Sequence, residues 1–103
     1  MKLQELFEKQ ELIKRMYEAV TEFDRVLEVI PVIDQIEKHL KALEKNRKEL
    51  LERVEKEPNQ VEKEWQELLK KDVKLTLPKV TKEEVKKCGF NPFEYRKIQT
   101  WVK

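Results

Sequence analysis

The residue types that most often carry out chemistry are scarce in this chain. Its 103 residues include one His, one Cys, one Gly and no Ser. One His and one Cys cannot form a zinc site of the usual Cys/His type, and without Ser the commonest hydrolytic nucleophile is missing. A single Gly also excludes the glycine-rich loops that bind nucleotide phosphates, because those loops need several residues without a Cβ. The sequence therefore predicts that the protein is not an enzyme. It predicts no catalytic residue, cofactor, metal site or small-molecule substrate.

The single His and the single Cys both have structural explanations. His39 has Gln35 and Leu43 one helical turn away on either side, so no second metal ligand lies on its face. Cys88 falls near the end of a short predicted helix, where the helix dipole does not lower a thiol pKa. We predict a solvated histidine and a small, partly buried cysteine.

Carboxylates are abundant, but many are followed four residues later by a base, as in Glu5 with Lys9 and Glu44 with Lys48. This order stabilises an isolated helix by roughly 0.2 to 0.5 kcal/mol per pair. The acids are thus predicted to lie on solvated helix faces rather than in a paired-carboxylate active site. The chain is 43% charged and 39% hydrophobic, which is typical of long, solvated helices.

The elements that carry these residues are predicted from hydrophobic periodicity. Apolar residues recur every seven positions from Leu3 to Ile30, which indicates one stripe of an amphipathic helix. Pro31 interrupts the pattern, which resumes in a shifted phase up to Val54 and so predicts a hairpin of two long helices with its turn at Pro31. Residues 29–33 contain no Gly, Asn or Asp to form a tight turn, so a kinked but continuous helix is the alternative.

The second half of the chain contains shorter elements. Asn59, with Glu62 three residues later, predicts an N-cap and a third helix from about Gln60 to Lys71. Val73, Leu75 and Leu77 alternate with polar residues like a half-buried strand. No partner strand exists in the chain, so this segment either packs as an extended arm along the helices or pairs with another copy or a partner.

The C-terminal tail contains two complete sets of helix start signals. Thr81 with Glu84 and Asn91 with Glu94 each predict a capping box, and Gly89 supplies the left-handed residue between the two helices. The last helix is predicted to bury four apolar residues, namely Phe93, Ile98, Trp101 and Val102.

The predicted fold is therefore all-α. It comprises an antiparallel, coiled-coil-like helical hairpin with a shorter third helix over residues 1–71. An extended segment and two short capped helices follow over residues 72–103, and the whole chain forms one folding unit.

The order of these features resembles a group of short helical proteins of unknown function encoded by bacteriophages and prophages. The resemblance covers about residues 18–101 and depends on the segments 29–36, 40–51, 62–69, 73–79 and 91–101. It implies a phage origin, and with it the host cytoplasm or the virion as location, but it supplies no catalytic residue. The extended segment is basic here, whereas the corresponding strands in that group are usually acidic.

The hydrophobic stripe is the strongest functional signal. We predict a protein-protein interaction module that self-associates through its heptad positions and assembles with, or modulates, a host or viral protein. The residues predicted to form this interface are Leu6, Ile13, Met16, Val20, Phe23 and Leu27. No membrane segment is expected, because the longest uncharged run, 88–93, has six residues.

The uneven charge of the chain suggests a second function. Residues 72–103 contain eight bases against four acids, whereas the rest of the chain has a net negative charge. A basic, aromatic tail is compatible with a nucleic-acid-binding accessory factor. The candidate phosphate contacts are Lys74, Lys79, Lys82, Lys86, Arg96 and Lys97.

Overall fold

A computed structural model describes residues 1–103 and contains five α-helices and no β-strand. The helices are α1 (Leu3–Glu18), α2 (Phe23–Arg53), α3 (Pro58–Leu69), α4 (Lys82–Lys86) and α5 (Pro92–Ile98), followed by a 3-10 turn at Gln99–Trp101. The prediction of an all-α protein is confirmed. The molecule is elongated, with principal dimensions of 50 × 28 × 19 Å, because α2 alone has 31 residues.

The break between the two long helices lies at residues 19–22, and Pro31 is inside α2. The predicted turn at Pro31 is therefore wrong. The helix continues through Pro31, as the alternative expected, but the break at residues 19–22 divides what that alternative treated as one helix. Pro31 is exposed, so its ring and its missing N–H face solvent rather than the core. At the actual break, Ala19 and Val20 are buried, and the chain leaves α1 with Val20 N–H donating to the Tyr17 carbonyl at 3.1 Å.

Helices α1 and α2 run in opposite directions along each other. Tyr17, at the end of α1, lines the same groove as Ile33, whereas Phe7, near the start of α1, lies beside Leu43. The core between them is built from regularly spaced apolar residues on each helix. The most deeply buried of these are Leu6, Ile13 and Met16 of α1 and Val29 and Leu43 of α2.

Helix α3 covers the N-terminal end of α1. Its first residue is Pro58, with Glu57 at the N-cap position and no side-chain cap hydrogen bond, so the predicted cap at Asn59 is wrong. Pro58 is well suited to this position because the first helical N–H has no partner within the helix. The Trp65 ring packs edge to face against Phe7, with 5.9 Å between ring centroids.

The segment after α3 packs as an extended arm along the helices and forms no strand. Val73 and Leu77 are buried in the core. The start of the arm pairs with the N-terminus, where Val73 N–H donates to the Met1 carbonyl at 2.7 Å. Farther along the arm, the Tyr17 hydroxyl donates to the Pro78 carbonyl at 2.8 Å.

The tail forms the two predicted short helices. Both capping boxes are present, at Thr81 and at Asn91, and Gly89 has a φ of +66°. Ile98 is fully buried and holds α5 against α1. Phe93, by contrast, is 81% exposed, so its predicted burial is wrong. The helical phase explains the difference, since Phe93 lies five residues before Ile98 and points away from the core.

Candidate protein interaction surfaces

Four of the six residues predicted to form an interface belong to the core of the chain itself. Leu6, Ile13, Met16 and Val20 are each no more than 7% exposed. Helix α1 contacts α2, α3 and α5, so its apolar stripe is already covered within one chain. The prediction that these four side chains contact a partner is therefore corrected.

The other two predicted interface residues are exposed and have a third apolar neighbour. Phe23, Leu27 and Ile30 are 72%, 54% and 44% exposed. Their spacing of four and then three residues places them on one face of α2, which we call the α2 stripe. Val29 and Ile36 are buried on the opposite side of the same helix. The stripe is thus an apolar surface that no other part of the chain covers.

The surroundings of the α2 stripe are acidic. Residues 22–37 contain five acids, which are Glu22, Asp24, Glu28, Asp34 and Glu37, and a single base, Arg25. Arg25 is directed towards the tail, where its guanidinium donates to the Lys79 carbonyl at 2.6 Å and to Glu84 at 3.1 Å. Because Arg25 is engaged in these bonds, the remaining exposed charge of residues 22–37 is negative.

The contacts of Arg25 also fix the start of α2 against α4. Burial disfavours the charge of Glu84, but hydrogen bonds from the Thr81 N–H and from Arg25 outweigh it and lower the pKa of Glu84. The Glu84 hydrogen bond, followed by that of Glu28, raises the pKa of Arg25 despite its partial burial. Both groups therefore stay ionised at neutral pH, and the pair stabilises the position of the stripe.

The backbone of the stripe has one unusual feature. In a regular helix, the N–H four residues ahead donates to each carbonyl. Pro31 has no N–H, so the Leu27 carbonyl lacks its usual intrahelical donor. Pro31 therefore costs α2 one intrahelical hydrogen bond at this point.

A second exposed surface lies on α5. It is formed by Phe93 together with Arg96 and Lys97, which follow it by three and four residues. These residues share the side of α5 opposite Ile98. All three are exposed, and we call them the α5 face. Sequence analysis assigned Phe93 to the core and so missed this surface. The helical phase relative to Ile98 was the signal that could have revealed it.

The inner side of α5 is fixed by polar contacts. Glu94 accepts a hydrogen bond from the Asn91 N–H at 3.1 Å and an ion-paired bond from Arg15. These two contacts, that of Asn91 first, lower the pKa of the Glu94 carboxyl. Arg15 also lies over the Phe90 ring, with its guanidinium carbon 4.6 Å from the ring centroid. These contacts hold the N-terminal end of α5, and the buried Ile98 holds its C-terminal end, so the α5 face is presented on a fixed helix.

The six predicted phosphate contacts are all exposed but lie on three different elements. Lys74 and Lys79 are on the extended arm, Lys82 and Lys86 on α4, and Arg96 and Lys97 on α5. Lys86 lies 3.5 Å from the carboxylate of Glu83.

The single His and Cys lie outside both surfaces. His39 is a partly exposed residue of α2. The Cys88 thiol is partly buried and lies 3.3 Å from the Arg15 carbonyl, and burial raises the pKa of this thiol. A raised pKa disfavours the thiolate, which is the reactive form.

Comparison with known proteins adds no functional residue to these surfaces. No protein-family model, curated protein or solved structure matches the chain. None of the helices combines the length and apolar character needed to cross a bilayer. No group of three or more His, Cys, Asp and Glu side chains is placed to hold a metal ion. The α2 stripe and the α5 face are the two surfaces that stand out.

Proposed function

We propose that this chain is a non-enzymatic protein-interaction module that self-associates through the α2 stripe. The observation that carries the proposal is the exposure of Phe23, Leu27 and Ile30 on one face of a long helix. Contiguous exposed apolar surface of this kind marks interaction sites in soluble proteins. Fully burying an exposed side chain of this size gains about 1.5 to 3 kcal/mol, and covering the parts of these three that are still exposed gains roughly half of that for each, which favours association.

The origin and wider role belong to the same proposal. The resemblance to short phage and prophage proteins supports a phage origin and a role in assembling with, or modulating, a viral or host protein. In this hypothesis the module acts in the host cytoplasm or in the virion.

The experiment that tests self-association is the native mass of two matched variants. Leu27→Glu changes the stripe, and Leu51→Glu changes a residue of the same type, on the same helix and with nearly the same exposure, 55% against 54%. We expect wild type and Leu51→Glu to exceed the 12.6 kDa chain mass in light scattering, and Leu27→Glu to fall to it. Unchanged far-UV circular dichroism would confirm that all three are folded.

Two results would contradict the proposal. The first is a wild-type chain that stays at the monomer mass at every concentration. The second is a native mass that falls equally in both variants, since the α2 stripe would then have no special role.

A second candidate function is a nucleic-acid-binding accessory factor, favoured by the exposure of all six candidate cations in the tail region. Phosphate contacts make affinity fall steeply between about 50 and 200 mM salt. Fluorescence anisotropy with labelled DNA and RNA tests this dependence directly. Absence of binding at the lower salt concentration would eliminate this candidate.

A further inference from the structure

We propose that the α2 stripe of one copy binds the α5 face of a second copy. This inference rests on the proposed self-association and adds the identity of the surface that covers the stripe. The contact joins two different patches, so it is heterologous rather than a pairing of identical surfaces.

A surface complementary to the α2 stripe is apolar at its centre and basic at its edge. Phe23, Leu27 and Ile30 supply the apolar centre. Asp24 and Asp34 are exposed near the two ends of the stripe. A partner surface therefore has to place cations beside these carboxylates to be complementary in charge.

The α5 face has this composition. Phe93 is the most exposed large apolar side chain of the protein, at 81%. Arg96 and Lys97 follow it by about one helical turn, and both are exposed. Aromatic and arginine side chains are enriched at the energetic centres of protein interfaces.

The two surfaces do not cover each other within one chain, because Phe23 and Phe93 are both largely exposed there. The pairing is therefore intermolecular. Like-with-like pairing is disfavoured by charge. Two stripes face to face would bring the acids near Asp24 and Asp34 together, and two α5 faces would bring together Arg96 and Lys97 of each copy.

A complementation experiment separates this contact from the others. Leu27→Glu blocks the stripe and leaves the α5 face intact, whereas Phe93→Glu blocks the α5 face and leaves the stripe intact. We expect each variant alone to be monomeric in light scattering and sedimentation. The equimolar mixture is expected to form a one-to-one complex of twice the 12.6 kDa chain mass, since one intact surface of each kind is present.

Charge reversal tests the electrostatic part of the inference. Arg96→Glu is expected to weaken wild-type self-association by about tenfold, because it places like charges in contact. Adding Asp24→Lys to the Arg96→Glu variant is expected to restore part of this loss. Leu51→Glu serves again as the control that leaves association unchanged.

Several outcomes would overturn the inference. If Phe93→Glu associates like wild type while Leu27→Glu is monomeric, the stripe pairs with another surface, so the proposed function stands and this inference fails. The inference also fails if both variants are monomeric and their mixture stays so. If neither variant changes the native mass, both the inference and the proposed function fail. DNA binding that Phe93→Glu abolishes, without any change in native mass, would assign the α5 face to nucleic acid instead.

Discussion

Replacing Pro31 by Ala is expected to stabilise the protein. Pro31 is the ninth residue of a 31-residue helix and is exposed, so the substitution removes no core packing. In a helix interior, Pro is about 3 kcal/mol less favourable than Ala, because it lacks the N–H and its ring crowds the preceding turn. Ala also frees the unfolded chain, which offsets about 0.4 to 1 kcal/mol of this gain. The net expectation is an increase of about 2 kcal/mol in the free energy of unfolding.

The assay is thermal and urea unfolding followed by far-UV circular dichroism. For a domain of this size, about 2 kcal/mol corresponds to a rise of roughly 8 to 16 °C in Tm. Pro58→Ala is the matched control, since Pro58 occupies the first position of α3, where no helical N–H bond is lost. We expect that control to leave Tm unchanged or slightly lower. A lower Tm or lower helicity for Pro31→Ala would refute the reasoning, because it would mean that Pro31 forms a turn.

Three further predictions concern the packing of the core, the backbone at Gly89 and the charge of Glu84. Leu6→Ala removes a fully buried side chain and is expected to cost about 2 to 5 kcal/mol in urea unfolding, whereas Leu51→Ala, at an exposed position, should cost less than about 1 kcal/mol. Gly89→Ala is expected to destabilise by about 1 kcal/mol, because φ is +66° and an added Cβ meets nothing within 4 Å, so the loss comes from the backbone alone. The pKa of Glu84 is lowered in the folded state, so its contribution is fully present above the ordinary pKa of 4.5 and is lost as the pH falls through the folded value. Urea unfolding between pH 7 and pH 3 is therefore expected to show a smaller acid-induced loss of stability in Glu84→Gln than in wild type. The Glu84 prediction is contradicted if wild type and Glu84→Gln lose equal stability in acid. The packing prediction is contradicted if Leu6→Ala and Leu51→Ala cost equal stability. The backbone prediction is contradicted if Gly89→Ala leaves the stability unchanged.

The tail was predictable from the sequence because its signals are local. A capping box is completed by residues three positions apart, so Thr81 with Glu84 and Asn91 with Glu94 specify both helix starts without reference to the rest of the chain. Gly89 likewise marks the end of the first short helix through its own backbone conformation. The sequence leaves two alternatives open for the extended arm, because the pairing of the arm with the N-terminus depends on contacts about 70 residues apart.

The break between α1 and α2 was not predictable in the same way. Residues 19–22 contain none of the usual turn residues, and the chain reverses there because burying Ala19 and Val20 and packing α2 against α1 decide the path. The sequence predicts the break at Pro31. An exposed proline is nevertheless tolerated inside a helix when packing of the opposite face against the core stabilises that helix. Local propensity and tertiary packing conflict at both positions, and packing determines the outcome.

The misplaced break also explains why the candidate interface was only partly predicted. Apolar residues continue at a spacing of seven from Leu6 to Leu27, so the sequence pattern places all of them on one stripe. The turn at 19–22 starts a new helix, whose orientation is set by burial of its own residues Val29 and Ile36. Phe23 and Leu27 are thereby rotated away from the core that buries Leu6.

The composition of α2 changes along its length in a way that supports a binding role for its first turns. Between Phe23 and Ile30 the helix is apolar on both sides, with Val29 buried inside and the α2 stripe exposed outside. From Asp34 to Arg47 the outer face is polar, as expected for a helix that has only one side to bury. Folding of one chain buries one side of this short stretch, and in our proposal the α5 face of a second copy, with the opposite charge, covers the other.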